Sequence, residues 1–523
     1  MRQPDMLLID RFEATARERP DHLFLRYVAE DPADDVLVTY GEADRAASRF
    51  AAALRARGVV RGDTVAILLP NMPNWLLWHF ANQKIGATTC TLNPDLLPGD
   101  LAGLIGIAGA SVVVTGAALA SLAGAIRAAG AQVLFLDQDT GAELGEAGRA
   151  PDVGHVARDP AIAADANLSV VFTSGTTGAR SKAVLMPVGN VVRFAGAYKD
   201  MLGLDGGDRL MMVTPLYHAA ALHWTTGMAV LCGGSLVLAD RFRKSQFWHQ
   251  ADRAGATVIW TMAAVLFILL TEPAGAAERS AMSRMKVVFG NGAAGRAREI
   301  IARWGPVFRD GFGMSEAFGT LTDADSFDTG EPYPCAGRAV PGIEMRLRDP
   351  QTGAFVGPRE QGEIVMRYGQ GFGGYLGDPE ATAQVVRDGW FHTGDIGYVD
   401  ETGRLFFVDR LKEIIRRGGK NISAKEIENV LLTHPAVAEA AAIGKPDDIL
   451  GETVMVLLVA KDPGYSFTLD EIRAFCKDRL AAYKWPAGIV TLKAEALPRT
   501  PTGKIKKLSL KQQLREGTGA FAS

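Results

Sequence analysis

The sequence predicts an α/β protein with a large N-terminal domain, residues 1–409, and a small α+β C-terminal domain, residues 410–523. Up to about residue 340, short apolar runs alternate with segments of helical periodicity, which is typical of stacked, mainly parallel βα sheets. After Pro341, short apolar runs separated by Gly and Pro indicate a smaller antiparallel, barrel-like region. The C-terminal residues return to the alternating pattern and predict the compact second domain.

Individual elements follow from the same patterns. A helix is predicted over 42–57, where apolar residues recur at helical spacing and Gly58 ends the run. A second helix is predicted over 73–85, with Pro73 in its first turn. Strands are predicted at 64–69, 111–115, 169–172, 209–213, 235–238, 257–260, 286–289, 344–347, 362–366 and 404–408. The C-terminal domain is predicted to contain helices at 426–432 and 469–480 and strands at 438–443 and 453–459.

The composition excludes several classes of protein. Of the 523 residues, 48% are hydrophobic and 22% charged, so the chain is globular rather than disordered or fibrous. The net charge of −3 lacks the basic excess of a nucleic-acid-binding protein. Four cysteines lie far apart and form no CxxC pair, which argues against a zinc ribbon or a disulfide scaffold and is typical of the reducing cytoplasm. They are Cys90, Cys232, Cys335 and Cys476.

No stable membrane span is expected. The N-terminus has no apolar stretch long enough for a signal peptide. The segment 101–126 carries no charge and is long enough to cross a bilayer, but Gly103, Gly106, Gly109 and Gly116 interrupt it and its centre reads as a short strand. We therefore interpret it as a buried α/β segment of a cytoplasmic enzyme.

The clearest local motif runs from Phe172 to Lys182, after a predicted buried strand, and reads FTSGTTGARSK. Glycines let backbone N–H groups approach phosphate oxygens, hydroxyls donate further hydrogen bonds, and the lysine adds a positive charge. It is not a Walker A loop, because no Gly precedes Lys182 and no Ser or Thr follows it. Taken alone, the segment also fits an exposed Ser/Thr/Gly turn.

Four further motifs follow in order, and together they resemble the adenylate-forming superfamily, of the acyl-CoA synthetase or fatty-acid–CoA ligase type. GFGMSE at 311–316 is similar to the aromatic-Gly-x-Thr/Ser-Glu motif of that family, and WFHTGD at 390–395 is similar to its Thr-Gly-Asp motif. DRLKEIIRRGGKN at 409–421 resembles its hinge and following loop, and PRTPTGK at 498–504 its C-terminal lysine motif. Five ordered motifs make a chance match to an isolated turn improbable.

The resemblance implies an ATP site built from several segments. The phosphate loop would hold the β- and γ-phosphates, Phe312 would pack on adenine, and Asp395 would accept hydrogen bonds from the ribose hydroxyls, supported by Arg410. Glu316 and Thr173 are the expected magnesium ligands. The residues implied in nucleotide and coenzyme A binding are Thr173, Ser174, Gly175, Thr176, Thr177, Gly178, Lys182, Gly292, Ala293, Asp310, Gly311, Phe312, Gly313, Met314, Ser315, Asp395, Arg410, Gly418, Gly419 and Lys420.

The resemblance also implies two half-reactions in one active site. Lys504 and Glu316 are the expected catalytic residues, with Lys504 reaching both the substrate carboxylate and the α-phosphate. Lys412 occupies the hinge position, about which the small, mobile C-terminal domain would rotate after adenylation. Arg416, Arg417 and Lys420 would then meet the phosphates of coenzyme A, although the arginines also fit a basic exposed turn.

The acyl-binding residues are less specific. PLYH at 215–218 is similar to a family motif that borders the acyl pocket, and His218, Trp224, Trp260 and Asn291 are the expected substrate residues. A core histidine with satisfied hydrogen bonds is the alternative for His218. No Asp stands near His218 to hold an ammonium group, which favours a plain carboxylic acid over an amino acid.

The predicted function is an ATP-dependent acyl-CoA ligase that uses ATP, Mg²⁺ and coenzyme A to convert a carboxylic acid first to an acyl adenylate and then to a thioester. The alternatives are loading of a carrier-protein phosphopantetheine and non-catalytic nucleotide binding on the same fold. The phosphate loop departs from the family pattern at its end, so either Lys182 or Arg180 can act as its cation. The acyl group and the oligomeric state stay open, a homodimer being one alternative.

Overall fold

The computed structural model describes residues 6–136, 154–173, 181–317, 319–331, 333–369, 371–411, 413–418, 420–499 and 505–521. Its α-helices are α1 (Leu8–Glu18), α2 (Tyr40–Ala56), α3 (Pro73–Ile85), α4 (Pro98–Ala108), α5 (Ala123–Ala128), α6 (Val188–Met201), α7 (Thr226–Cys232), α8 (Phe247–Ala254), α9 (Ala263–Leu270), α10 (Ala276–Met282), α11 (Ala297–Trp304), α12 (Pro379–Val385), α13 (Ala424–Leu431), α14 (Leu469–Cys476) and α15 (Lys507–Glu516).

The strands that precede residue 310 are β1 (Leu23–Val28), β2 (Val36–Thr39), β3 (Thr64–Leu68), β4 (Thr88–Thr91), β5 (Ala110–Gly116), β6 (Gln132–Leu136), β7 (Asn167–Phe172), β8 (Ala183–Pro187), β9 (Arg209–Met212), β10 (Ser235–Ala239), β11 (Val258–Met262), β12 (Val287–Asn291) and β13 (Phe308–Arg309). The later strands are β14 (Thr320–Leu321), β15 (Cys335–Ala339), β16 (Ile343–Arg348), β17 (Gly362–Tyr368), β18 (Val386–Arg387), β19 (Trp390–Val399), β20 (Leu405–Arg410), β21 (Ile415–Arg417), β22 (Lys420–Ile422), β23 (Val437–Asp447), β24 (Gly451–Ala460) and β25 (Gly488–Leu492).

These strands form two mainly parallel sheets in the first part of the chain. One has the order β13-β12-β11-β9-β10-β1-β2 and is parallel except for β2. The other has the order β6-β5-β3-β4-β7-β8 and is parallel except for β8. Helices cover both sheets, as parallel sheets buried on both faces require.

Two further sheets follow. An antiparallel sheet has the order β14-β15-β20-β19-β17-β16, with β18 paired to β19. The last sheet has the order β22-β21-β24-β23, and β25 joins β24 in parallel. The predicted fold class, including the antiparallel region, is thereby confirmed. The boundary at residues 409/410 stays a prediction; it falls at the last residue of β20, before the fourth sheet begins with β21.

Several local predictions can be compared with the structure directly. The helix predicted over 42–57 begins two residues earlier, because Thr39 and Glu42 form a capping box in which each side chain accepts the other's backbone N–H. The apolar segment 101–126 divides into helix and strand as interpreted. Within the described ranges, no helix is both long and apolar enough to cross a bilayer.

A buried ion cluster ties the first three helices together. The Lys84 side chain is 0% exposed, and its ammonium lies 2.6 Å from Glu13 of α1 and 2.8 Å from Asp44 of α2. It also donates to the Val156 carbonyl at 2.8 Å. Since two carboxylates share one cation away from water, the cluster depends on that cation.

Replacing Lys84 by Met should lower the free energy of unfolding by about 3–5 kcal/mol, because it removes the fully buried ammonium that pairs with both carboxylates. Arg17→Met is the matched control: Arg17 pairs with the same Glu13 at 3.9 Å, but its side chain is 63% exposed. That change should cost less than about 1 kcal/mol. Chemical denaturation followed by circular dichroism measures both, and equal losses would contradict the buried role of Lys84.

Candidate adenylate-forming site

A buried carboxylate organises the predicted adenine side of the site. Asp310 is 2% exposed and follows β13, next to the loop that follows the parallel strand β12. Its Oδ1 accepts the N–H groups of Gly292 at 2.9 Å and Gly311 at 2.6 Å, and its Oδ2 accepts that of Ala294 at 2.6 Å. Loops at the carboxyl ends of neighbouring parallel strands form the usual ligand crevice of such sheets.

Two details fix the backbone around this carboxylate. Gly292 has a φ of +80°, a left-handed conformation that favours glycine. The Asn291 side-chain amide donates to the Gly311 carbonyl at 3.0 Å, so Asn291, predicted as a substrate residue, joins the two loops. Ala293 is completely buried beside them.

The segment after Asp310 leads to the predicted magnesium ligand. Phe312 is 7% exposed, and its ring lies 6.1 Å from that of Phe407 at an interplanar angle of 28°. Gly313, Met314 and Ser315 continue to Glu316, which is half-buried. The Glu316 Oε1 accepts the Tyr375 hydroxyl at 2.8 Å, and its main-chain carbonyl accepts the Tyr368 hydroxyl at 3.0 Å.

The described ends of the phosphate loop are tied to each other. The Thr173 N–H donates to the Lys182 carbonyl at 3.0 Å, and the Thr173 hydroxyl accepts the Lys182 N–H at 3.1 Å. The Lys182 ammonium lies 4.3 Å from the centre of the Tyr375 ring. Predicted residues of this loop that lie outside the described residues are Ser174, Gly175, Thr176, Thr177, Gly178 and Arg180.

The predicted ribose residues face each other across two strands. Asp395 on β19 is paired in register with Arg410 on β20, and the Arg410 Nε lies 3.5 Å from the Asp395 Oδ1. Phe407, the neighbour of Phe312, lies on the same strand as Arg410. The Phe312–Phe407 contact therefore links the segment that follows Asp310 to the strand that carries Arg410, the partner of Asp395.

The predicted coenzyme A loop lies in the C-terminal sheet. The Lys420 ammonium lies 4.3 Å from the centre of the Tyr483 ring, and the Arg417 guanidinium donates to the Tyr483 carbonyl at 2.6 Å. Gly418 has a φ of +55° and donates its N–H to Leu450 at 2.8 Å. Lys412, Gly419 and Lys504 lie outside the described residues.

The residues around Glu316 fit a magnesium–nucleotide complex. Mg²⁺ prefers oxygen ligands and is usually bound through one or two protein side chains together with substrate phosphates. One half-buried carboxylate, oriented by a tyrosine hydroxyl and lying near the end of the phosphate loop, provides such a ligand.

Two family models match the chain. The model described as AMP-binding enzyme matches residues 12–376, and the model described as AMP-binding enzyme C-terminal domain matches residues 426–504. The first alone covers well over half of the 523 residues. The chain belongs to the AMP-binding enzyme family.

Similar proteins agree with this membership. A 4-coumarate–CoA ligase of Oryza sativa subsp. japonica is 32% identical, over 96% of both chains. A feruloyl-CoA synthase of an Amycolatopsis species is 34% identical, over 90% of this chain and 92% of that protein. The long-chain-fatty-acid–CoA ligase FadD13 of Mycobacterium tuberculosis is 31% identical, over 92% of this chain and 94% of its own.

Solved structures show the same fold. ATP-bound MatB from Rhodopseudomonas palustris superposes with a TM-score of 0.86 at 26% identity, covering 98% of this chain and 99% of that one. The o-succinylbenzoate–CoA synthetase MenE from Bacillus subtilis, in complex with ATP and magnesium, gives 0.81 at 27% identity, covering 97% and 99%. The predicted superfamily, the AMP-forming acyl-CoA ligase activity and the use of ATP, Mg²⁺ and coenzyme A are thereby confirmed.

In this AMP-binding enzyme the predicted acyl-side residues differ in burial. Trp224 and Trp260 are 1% and 2% exposed, and Trp260 stacks on Phe289 with ring centres 3.7 Å apart. Both tryptophans therefore pack in the large core. His218 is half-buried beside Tyr217, whereas the nearby His223 is completely buried and bonded to Ser169 at 2.6 Å. The assignment of His218, Trp224 and Trp260 to the acyl pocket stays a prediction.

Sequence reasoning missed one aromatic residue and one ion cluster. Tyr375 contacts both Glu316 and Lys182, and its only local signal is a tyrosine that follows two glycines. Lys507, three residues beyond Lys504, lies 3.0 Å from Glu413 and 2.8 Å from Glu428. Burial lowers the pKa of Lys507, but the charges of Glu428 and Glu413 outweigh it, and the net shift is upward.

Asp310 should make stability depend on pH in an unusual direction. Burial raises its pKa to about 7, against the lowering effect of the N–H groups of Gly292, Gly311 and Ala294. Between the unfolded pKa, near 4, and about 7, the folded state binds more protons, so this group's contribution to the free energy of unfolding falls as pH rises, by at most about 1.4 kcal/mol per pH unit.

Thermal unfolding of the wild type and Asp310→Asn from about pH 5 to about pH 8 tests this shift. The stability of the wild type relative to the variant should decline with rising pH. Asp323→Asn is the control, because hydrogen bonds from Ser326 and the charge of Arg338 overcome burial and lower the pKa of Asp323. The difference in stability between Asp323→Asn and the wild type should stay constant in this pH range. A constant difference in stability for Asp310→Asn as well would contradict the raised pKa of Asp310.

Proposed function

We propose that this ligase activates an aromatic carboxylic acid of the phenylpropenoate kind as its acyl adenylate and then transfers the acyl group to coenzyme A. The names of two of the similar proteins, the 4-coumarate–CoA ligase and the feruloyl-CoA synthase, contain aromatic acyl groups of this class. The observation that supports the proposed nucleotide site is that the GFGMSE segment, residues 311–316, meets two other predicted motifs. Phe312 packs on Phe407, whose strand carries Arg410, the partner of Asp395. Glu316 shares Tyr375 with Lys182 at the end of the phosphate loop.

The nucleotide would bind with its adenine against Phe312 and the 291–294 loop. The N–H groups of this loop are held by Asp310, so its backbone dipoles are oriented before the ligand arrives. Asp395 would accept the ribose hydroxyls, because an ionised carboxylate offers acceptors for two O–H donors. Arg410, 3.5 Å away, places a positive charge beside that carboxylate.

The chemistry requires two anions to approach each other. The substrate carboxylate must attack the α-phosphorus, and pyrophosphate leaves with the electron pair of the broken P–O bond. Glu316 and Thr173 would hold Mg²⁺, which neutralises phosphate charge when it is bound. Lys182 and Lys504 would supply protein cations, and Lys504 is assigned to the developing charge on the α-phosphate.

The second half-reaction would use the C-terminal domain, residues 410–523, in another orientation about Lys412. The thiol of coenzyme A attacks the acyl carbonyl carbon, the C–O bond to AMP breaks, and AMP leaves. Arg416, Arg417 and Lys420 would bind the phosphates of coenzyme A in that orientation.

An acid panel tests the proposed function. Purified protein with ATP and Mg²⁺ should release pyrophosphate with 4-coumarate, ferulate and cinnamate, and should form AMP and the corresponding thioester when coenzyme A is added. Octanoate, palmitate and malonate provide the comparison. Turnover of palmitate alone would overturn the acid class but keep the ligase, as the similarity to FadD13 allows. No AMP with any acid would overturn the activity itself.

Replacing Lys504 by Ala should slow adenylate formation by at least about 10²-fold, the loss typical of one transition-state charge partner. Thioester formation from a supplied acyl adenylate should stay near the wild-type rate, because the lysine would act only in the first step. Lys506→Ala, a charge removal two residues along, is the control and should leave both rates unchanged. Equal losses in both half-reactions of Lys504→Ala would contradict the two-orientation mechanism.

A further inference from the structure

We propose that Tyr375 is a positioning residue that holds the Glu316 carboxylate and the Lys182 ammonium apart and in place for the magnesium–nucleotide complex. The proposal rests on the function proposed above and adds a residue that the motifs do not identify.

Tyr375 contacts both charged groups with different parts of its side chain. Its hydroxyl donates to the Glu316 Oε1 at 2.8 Å. The face of its ring carries the Lys182 ammonium, 4.3 Å from the ring centre. The electron-rich ring face attracts a cation while its polar end donates to an anion, so one side chain satisfies both.

The backbone of Tyr375 is fixed to the strand that follows the phosphate loop. Tyr375 forms a β-bridge with Val184, two residues after Lys182. The Leu185 N–H donates to Gly374 at 3.0 Å, and the Leu376 N–H donates to Ala183 at 2.8 Å. A Cβ at Gly373 would lie 2.6 Å from the Leu185 carbonyl oxygen, so this close approach requires glycine.

The side chain is also held by its surroundings. Tyr375 is 7% exposed, and its ring packs edge-on against Phe372 with centres 4.9 Å apart. Its N–H donates to the Thr382 hydroxyl at 2.9 Å.

This arrangement prevents Glu316 and Lys182 from pairing directly and neutralising each other's charge. A carboxylate and an ammonium close together in a half-buried site tend to pair directly. A direct pair would occupy the oxygens needed for the metal ion and the donor needed for phosphate. The Tyr375 hydroxyl is the partner of the Glu316 carboxylate, and the Tyr375 ring is the partner of the Lys182 ammonium. Neither contact neutralises a charge, so the carboxylate stays available to the metal ion and the ammonium to phosphate.

The test separates the hydroxyl from the ring. Tyr375→Phe keeps the ring under Lys182 and removes only the donor to Glu316. It should weaken Mn²⁺ binding to the enzyme–ATP complex about 10-fold, as measured by the electron paramagnetic resonance signal of free Mn²⁺ without any acid. The Mg²⁺ concentration for half-maximal pyrophosphate release should rise in parallel, while the maximal rate at saturating Mg²⁺ changes less.

Tyr368→Phe is the matched control. It removes a buried hydroxyl that also donates to Glu316, but to the main-chain carbonyl at 3.0 Å rather than to the carboxylate. Mn²⁺ binding should therefore match the wild type. In the Glu316→Gln background, Tyr375→Phe should cause no further loss of Mn²⁺ affinity. This comparison still tests the proposal if Tyr375→Phe alone lowers the stability of the enzyme.

Wild-type Mn²⁺ affinity in Tyr375→Phe, equal weakening in Tyr368→Phe, or an additive loss in the double variant would each overturn the proposal. Because the binding measurement needs no acid, it stays separate from the acid panel. An inactive wild type that nevertheless binds Mn²⁺–ATP would overturn the proposed activity and leave the role of Tyr375 standing.

Discussion

The hydrogen bonds from three backbone N–H groups to the buried Asp310 carboxylate determine the shape of the predicted adenine side of the site. The loops after β12 and β13 belong to neighbouring parallel strands, and each carries N–H groups that need an acceptor away from water. One carboxylate satisfies both loops and thereby joins them. A backbone fixed in this way presents oriented dipoles without reorganising, which is the condition for electrostatic catalysis.

The sequence predicts the bounds of a helix or strand well where the residues at its ends themselves make it begin or stop. The helix at 73–85 has the predicted bounds, because Pro73 begins it and Gly86, with a φ of +73°, ends it. The strand predicted at 438–443 instead extends to Asp447 as β23. Gly444 and Pro446 look like breakers, but β23 lies at the edge of its sheet, where a proline can face away from a partner strand. Only the sheet order shows this.

The site residues also divide into those that local motifs predict and those that only the packing of distant segments brings in. The resemblance of the motifs to the adenylate-forming superfamily predicts Asp310, Glu316 and Asp395 as nucleotide-site residues. It does not identify their partners. Tyr375 lies 59 residues from Glu316 in sequence and meets it only because the segment around Gly374 pairs with β8. Long-range contacts of this kind depend on the packing of separate sheets, which periodicity in the sequence does not encode.

One contact bears on how the two parts of the molecule can separate. The Tyr333 hydroxyl donates to the Glu426 carboxylate at 2.9 Å, across the predicted boundary at residue 409, while Lys484 pairs with the same carboxylate from within the C-terminal sheet region. If the C-terminal part turns away, Glu426 keeps its lysine and only the tyrosine must find water instead. Because its acceptor is a charged carboxylate, this hydrogen bond contributes about 1.5–3 kcal/mol to holding the two parts together.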